Sequence, residues 1–446
     1  MREIIEKFKD GSQTAIIHKD KKYSYAELYL KIKETLNFIK NEIKSGEVVA
    51  ILSDYSFESV ALFFALYENK NIIAPIISNA QEEINLKLKE SFCDKAIEIC
   101  GRGFNVKELN PGGTHQILSN LKKSGRAGLT LFSSGSTGKP KAMIHDLDAL
   151  IDLYKNKKQK RMNMLVFLMF DHIGGINTML NILSTGATMI IPQNRNADDV
   201  CKLINEYKIA VLPASPTFLN LILIGKSYEK YDLSSLRMIT YGTETMPEGL
   251  LNRLKSAFTK VKFLQTFGTS ETGIAATSSK SSDSTFMKID DENLEYKIVD
   301  GELWLKSKTR ILGYLNADMD SFTDDGWFKT GDLAQQSEDG FIKIIGRSKE
   351  IINVGGQKVL PCEVESVLLE MKEIQDCLVY AEKNAITNQS VCCDVVLKPG
   401  VDANGIKILV RKFCKDKLDN FKIPVKVNVV QKTEFTQRFK KIRTKS

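Results

Sequence analysis

Nine consecutive residues, Ser133-Ser134-Gly135-Ser136-Thr137-Gly138-Lys139-Pro140-Lys141, constrain this chain more than any other stretch. They follow an apolar, β-like run, Leu129-Thr130-Leu131-Phe132, and bring hydroxyls, two glycines and two lysines into one loop. Glycines let a backbone fold close around a polyanion with its N–H groups pointing inward. Serine and threonine hydroxyls add donors, and lysine adds a mobile positive charge. Such a loop suits phosphate. It is not a Walker loop, because Pro140 stands where Ser or Thr is required after Gly138-Lys139. A flexible Ser/Gly-rich surface loop has the same composition, so the reading needs companions.

The companions stand downstream in order. They are Thr240-Tyr241-Gly242-Thr243-Glu244, Phe267-Gly268-Thr269-Ser270-Glu271, Gly301-Glu302-Leu303 and Trp327-Phe328-Lys329-Thr330-Gly331-Asp332. Gly346-Arg347-Ser348-Lys349 and Gly355-Gly356-Gln357-Lys358 follow. In this order and spacing the set resembles the motif series of the adenylate-forming (AMP-binding) superfamily, most like AMP-forming acyl-CoA synthetases. Peptide-synthetase adenylation domains and luciferases share the series. The resemblance covers nearly the whole chain.

Length and composition agree with a globular protein of two or more domains. At 446 residues the chain exceeds one ordinary core, and 43% hydrophobic with 26% charged residues fits a globular protein. Apolar runs such as Val60 to Leu66 and Met164 to Phe170 fall short of the roughly 20 residues that cross a bilayer. The N-terminal residues Met1-Arg2-Glu3-Ile4-Ile5-Glu6-Lys7 lack an apolar signal core, and a cytoplasmic location is expected. Eight scattered cysteines without a CxxC pair argue against a zinc site or a disulfide framework. The net charge of +8 comes from lysines interleaved with Asp and Glu, which disfavours a nucleic-acid partner.

Strand-like runs alternate with helical periodicity through the first two-thirds, which predicts parallel α/β layers. Tyr25-to-Ile43 and Phe57-to-Tyr67 read as helices, and Val48-to-Leu52, Ile72-to-Ile77 and Ile209-to-Leu212 as strands. From about Glu292 to Ile345, short strand candidates between Gly and Asp turns suggest a small antiparallel barrel or sheet. Beyond Gly346–Lys349 the pattern predicts an α+β unit: a helix from Val359 to Met371, strands at Cys377–Ala381 and Cys392–Leu397, a helix near Gly405–Leu418 and a strand Val425–Val430. The expected layout is therefore an α/β N-terminal domain of several subdomains, residues 1–347, and a small mobile C-terminal lid, residues 348–446.

The resemblance implies a two-step reaction. A carboxylate attacks the α-phosphate of ATP to give acyl-AMP and pyrophosphate, and a thiol then takes the acyl group. By this resemblance Ser134, Gly135, Ser136, Thr137, Gly138 and Lys139 cradle the outer phosphates, and Glu271 holds Mg2+. Gly242, Thr243 and Glu244 face the adenine, with Phe267, Gly268 and Ser270 beside the nucleotide. Asp332 accepts from the ribose hydroxyls and Arg347 adds a ribose or phosphate contact. Lys349 is the hinge, and Gly355-Gly356 line the thiol channel. The family's terminal pattern puts glycine before its lysine. Thr436, Lys440 and Arg443 keep the spacing while Phe439 replaces that glycine, so the resemblance implies Lys440 as the catalytic lysine, with Lys441 the competing choice.

Phe170-Asp171-His172-Ile173-Gly174-Gly175 falls at the acyl-site motif, and two registers are open. His172 serves as an aromatic gate, or Asp171 holds the ammonium of an amino acid; Gly174 lines the pocket in either case. Three functions follow: an acyl-CoA synthetase, for instance of fatty acid metabolism; an enzyme loading the phosphopantetheine of a separate carrier protein; or a nucleotide-binding protein impaired by Phe439. The acid, its length and the oligomeric state, a homodimer included, are left open.

Overall fold

The computed structural model describes residues 2–133 and 139–443. Ser134, Gly135, Ser136, Thr137 and Gly138 therefore lie outside the described residues. Two seven-stranded sheets build the N-terminal unit. The first runs Lys262–Gln265, Met238–Tyr241, Val211–Ala214, Asn163–Leu165, Thr188–Ile191, Thr14–His18 and Lys21–Ser24, parallel but for the last hairpin. The second runs Gly313–Tyr314, Lys141–Asp146, Gly128–Ser133, Ile72–Pro75, Val48–Ile51, Lys95–Cys100 and Gly103–Glu108. The strand Gly128–Ser133 delivers the chain to the hydroxyl-rich loop, and its antiparallel neighbour Lys141–Asp146 takes it back.

Local sequence explains the helices between these sheets. Ser24 and Glu27 form a reciprocal capping box that starts Tyr25–Glu42, whose Leu28, Ile32, Leu36 and Ile39 form a buried stripe. Phe57–Glu68 is apolar on every side, and it lies buried in a core that both sheets share. The expected antiparallel unit is a six-stranded half-barrel: Thr277–Ser279, Met287–Ile289, Ile342–Arg347, Phe328–Gln336, Glu302–Ser307 and Leu294–Val299. Among the described residues no helix is long and apolar enough to cross a membrane.

A 3-10 turn, Ser348–Glu350, separates this half-barrel from a five-stranded C-terminal sheet. The predicted helix from Val359 shortens to Pro361–Leu368, because Gln357–Val359 pairs with Ile352–Val354 as a hairpin. The C-terminal unit shares one apolar core with the helices Pro216–Ile224 and Glu248–Ala257 of the N-terminal unit. Polar ties reinforce it: Asn220 Nδ2 donates to Asp376 at 2.8 Å, and Gly249 N to Ser366 Oγ at 3.0 Å. A Cβ at Gly249 would come within 2.5 Å of the Ser366 carbonyl, so only glycine permits this approach. Arg253 donates to the carbonyls of Met371, Ile374 and Gln375. Arg253→Ala is expected to cost about 2 kcal/mol of docking. Limited proteolysis checks it: cleavage in the 348–350 turn should accelerate about thirtyfold, and an unchanged rate would remove Arg253 from the docking.

Candidate active site

The site is built by the last described segment, which folds back over the N-terminal unit. Phe435 pairs with Lys441 across a tight turn in which Thr436 N donates to Lys440 O at 2.8 Å and Phe439 N to Thr436 O at 2.9 Å. Phe439 takes φ +53°, the left-handed region where glycine is at ease. The glycine position of the motif is thus filled by a phenylalanine that adopts the glycine conformation. Its neighbours each bond across to the N-terminal unit. Arg438 donates to Asp171 Oδ2 at 2.9 Å, Ser215 Oγ donates to the Phe439 carbonyl at 2.8 Å, and Lys441 N donates to Glu244 Oε1 at 2.7 Å.

Lys440 is held between these ties. It lines a narrow cleft with His172, Thr243, Arg195, Phe167, Leu168 and Met169. Among the described residues no carboxylate lies within ion-pair distance of its Nζ. Burial, aided by the nearby Arg347 guanidinium, brings its pKa down to about 8. Lys441 points the other way: its Nζ donates to the Cys377 carbonyl at 2.5 Å, 3.7 Å from Glu365 and 3.6 Å from Asp376. Burial opposes that charge, but the two carboxylates outweigh it and push the pKa up. Arg443 is likewise bound to Glu365. Of the two candidate lysines, only Lys440 enters the cleft.

The acyl motif sits opposite. His172 caps the helix Ile173–Ser184, with Nδ1 accepting from Gly174 N at 3.0 Å. Burial holds its pKa well below the usual value, so the ring is neutral with its proton on Nε2. A Cβ on Gly174 would stand 2.7 Å from Leu168, which fixes the close start of this helix. Asp171 is 2% exposed, and it faces Arg438 and, at 3.8 Å, Lys87. Burial raises its pKa against these two cations. Ile173, Ile176 and Leu180 line a cavity of mixed character, with Leu150, Tyr154 and Ile274 on its apolar side and Asn177, Asp291 and Asn293 among its polar residues.

Thr243 adopts φ +71°, a strained conformation for a β-branched residue, and its Oγ1 is buried without a hydrogen-bond partner among the described residues. Gly242 precedes it where a Cβ would meet Thr266 O at 2.7 Å. The Glu244 carboxylate accepts from Thr217 and the Lys441 N–H, so it ties the terminal segment to the N-terminal unit. Asp332, 5% exposed, pairs across the half-barrel with Arg347, whose Nε donates at 2.9 Å. Burial raises the Asp332 pKa and Arg347 opposes it.

Glu271 occupies the turn of the hairpin Phe267–Thr269 and Gly273–Ala275, with Phe267 and Gly268 on its first strand and Ser270 beside it. Tyr314 Oη donates to Glu271 Oε1 at 3.0 Å, and the Lys141 ammonium lies 5.1 Å from the centre of the Tyr314 ring. Tyr314 thus ties Glu271 to the strand that follows the hydroxyl-rich loop. His145, on that same strand, is fully buried against the Ser270 backbone, and burial brings its pKa down to about 4. Lys139 is exposed at the end of the loop. Among the described residues no three His, Cys, Asp or Glu side chains converge on a metal position. One carboxylate suits Mg2+ carried largely by phosphate and water oxygens, not an all-protein cage.

Two expected elements stay apart from the cleft. Lys349 is exposed in the 3-10 turn. Gly355 and Gly356 form a tight turn with φ +57° and +90°, bonded to Thr387 and Asn353 within the C-terminal unit. Sequence reading did not find Tyr314, Ser215 or Lys87, which lie in no motif, and only folding brings them to the site. Reductive 13C-methylation of the lysines, followed by NMR, is expected to show one resonance titrating near pH 8 that Lys440→Gln removes. Titration of every lysine near its ordinary value of about 10.4 would contradict the burial described.

Comparison with known proteins gives the family and the fold. The family model for AMP-binding enzymes matches residues 115–315, and that for the AMP-binding enzyme C-terminal domain matches 363–440. A 4-coumarate–CoA ligase-like protein of Arabidopsis thaliana is 25% identical over 86% of this chain and 78% of its own length. A 2-succinylbenzoate–CoA ligase of Listeria innocua is 24% identical over 94% of this chain and 92% of its own. The chain spans between 51% and 78% of the length of three plant and bacterial relatives. In fold, it is similar to the crystal structure of an anthranilate CoA ligase in complex with anthranoyl-AMP, with a TM-score of 0.84, 21% identity, and 98% and 94% of the two chains covered.

Proposed function

The chain belongs to the adenylate-forming, AMP-binding enzymes, and from that membership we propose that it activates a carboxylic acid with ATP and transfers the acyl group to CoA. The carboxylate attacks the α-phosphate, acyl-AMP forms and pyrophosphate leaves. The CoA thiolate then attacks the acyl carbonyl and AMP leaves. Negative charge gathers between two anions in the first step, so a fixed cation at that point lowers the barrier most. Lys440 carries this reading: it is an ammonium without a carboxylate partner among the described residues, held in the cleft beside His172 and Thr243.

The other roles follow in this proposal. Ser134, Gly135, Ser136, Thr137, Gly138 and Lys139 hold the outer phosphates. Glu271 holds Mg2+, which neutralises charge on the phosphates when bound. Asp332 and Arg347 take the ribose, and the backbone of Gly242 and Thr243 takes the adenine. Residues 348–446 are the lid, Lys349 its hinge, and Gly355-Gly356 reach the thiol once the lid turns. The naming of similar proteins as CoA ligases supports CoA over a carrier protein. Asp171 already faces two cations, which favours an acid without an ammonium group, its apolar body passing His172 toward Ile173 and Ile274. ATP and CoA as substrates suit a cytoplasmic enzyme.

ATP–pyrophosphate exchange with a panel of fatty, aryl and amino acids tests the proposal, which falls if no acid supports exchange. CoA and a holo carrier protein are then compared as acceptors. Lys440→Ala is expected to slow adenylation by about a hundredfold or more while sparing thioester formation from supplied acyl-AMP; equal loss in both steps removes the assigned role. The proton leaves Lys440 as pH rises through about 8, so kcat/KM for adenylation is expected to fall on that alkaline side. Lys440→Arg should carry the limb to higher pH, and an unshifted limb would assign it to another group. Glu271→Ala is expected to raise the Mg2+ concentration needed for half-maximal exchange, and unchanged dependence would remove Glu271 from the metal.

A further inference from the structure

Phe439 is the residue that the mechanism leaves unexplained. Its backbone stands in the left-handed region at φ +53°, which is unfavourable for a bulky side chain and free for glycine. A ring kept there must gain more from its surroundings than the backbone loses. Its surroundings are aromatic. The ring centre lies 5.1 Å from Phe218 in an edge-to-face arrangement and 5.4 Å from Phe167, both fully buried in the N-terminal unit. Phe435 of its own segment stacks on it at 5.7 Å with a 20° interplanar angle. Edge-to-face and offset rings at such distances attract beyond the area they bury. The Phe439 carbonyl is also held by Ser215, which caps the helix carrying Phe218.

Lys440 follows directly, with no carboxylate of its own among the described residues to keep it in place. The terminal segment therefore has an apolar anchor next to its mobile cation. We propose that Phe439 is a positioning residue: its ring, seated against Phe167 and Phe218, docks the C-terminal unit on the N-terminal unit and thereby sets Lys440 in the cleft. Withdrawal of the ring is then the step that must precede any other orientation of the C-terminal unit. The proposal rests on the adenylation reading only for the role of Lys440, and the docking itself is measurable without substrate.

Pulsed electron paramagnetic resonance on the nucleotide-free full chain tests it. Nitroxides are placed on Cys100, the exposed native cysteine, and on Ile386→Cys, a 94% exposed turn position in the C-terminal unit; the other cysteines are buried. The parent protein is expected to show one dominant distance. Phe439→Ala removes the ring and keeps the strained backbone, so the ratio of docked to undocked protein should fall about tenfold and a second distance should appear. Phe439→Gly removes the ring but relieves the backbone, so its docked share should lie between the two. In the same variants the Lys440 methyl resonance should move from near pH 8 toward the ordinary lysine range while the other lysine resonances keep their folded chemical shifts, which altered folding would not leave in place.

An Ala variant with the parent's distance distribution and Lys440 titration overturns the proposal. Where the Ala variant fails to fold, the Gly variant decides by the same two readouts. Absence of pyrophosphate exchange in the parent protein would instead defeat the adenylation reading and leave the docking result standing.

Discussion

A half-buried ammonium group kept in a narrow cleft, with no carboxylate at ion-pair distance among the described residues, organises this structure. Burying a cation is unfavourable, and Lys440 shows it by losing its proton more readily than an ordinary lysine. It stays because its neighbours are bound: Arg438 to Asp171, Phe439 to Ser215 and two phenylalanines, and Lys441 to Glu244 through its N–H. Their combined docking, together with the apolar core shared by the two units, holds one unfavourable group where an anion can use it.

The acidic side chains around the cleft follow the complementary rule. Asp171 faces Arg438 and Lys87, Asp332 faces Arg347, and Glu244 accepts from Thr217 and a backbone N–H. Each of these carboxylates has its own partner, so the cleft offers donors and positive charge to an incoming anion, as stabilisation of a charged transition state requires. Two residues of the cleft, Thr243 and Phe439, stand in the left-handed region. Phe439 is held there by tertiary contacts that would be lost if the C-terminal unit undocked.

Much of the fold was legible because its signals are local. The helices Tyr25–Glu42 and Phe57–Glu68 match the expected segments within one residue. The strand expected at Ile209–Leu212 lies instead at Val211–Ala214, since pairing with Met238–Tyr241 sets its register and apolar content does not. The helix expected from Val359 starts later for the same reason: a hairpin claims Val359 first. Glu244 lies in a motif that points to the adenine, yet its carboxylate ties down the terminal segment. Motif spacing places a backbone; it does not say which way a side chain turns once another segment arrives. Tyr314 and Ser215 carried no signal at all, since their roles exist only in contact with Glu271 and Phe439.

By itself, the order of short glycine-, hydroxyl- and acid-bearing runs determined the family and the inventory of chemistry, because such runs encode turns that form from neighbouring residues. Motif spacing favoured Lys440 through Thr436 and Arg443, but Phe439 at the glycine position left Lys441 as a competitor. Tertiary structure gives the two lysines different surroundings: the turn at Phe439 sends one amino group into the cleft and the next toward Glu365 and Asp376. The physical reason is that electrostatic environment depends on which surfaces meet across hundreds of residues, and that is settled only when the two units pack.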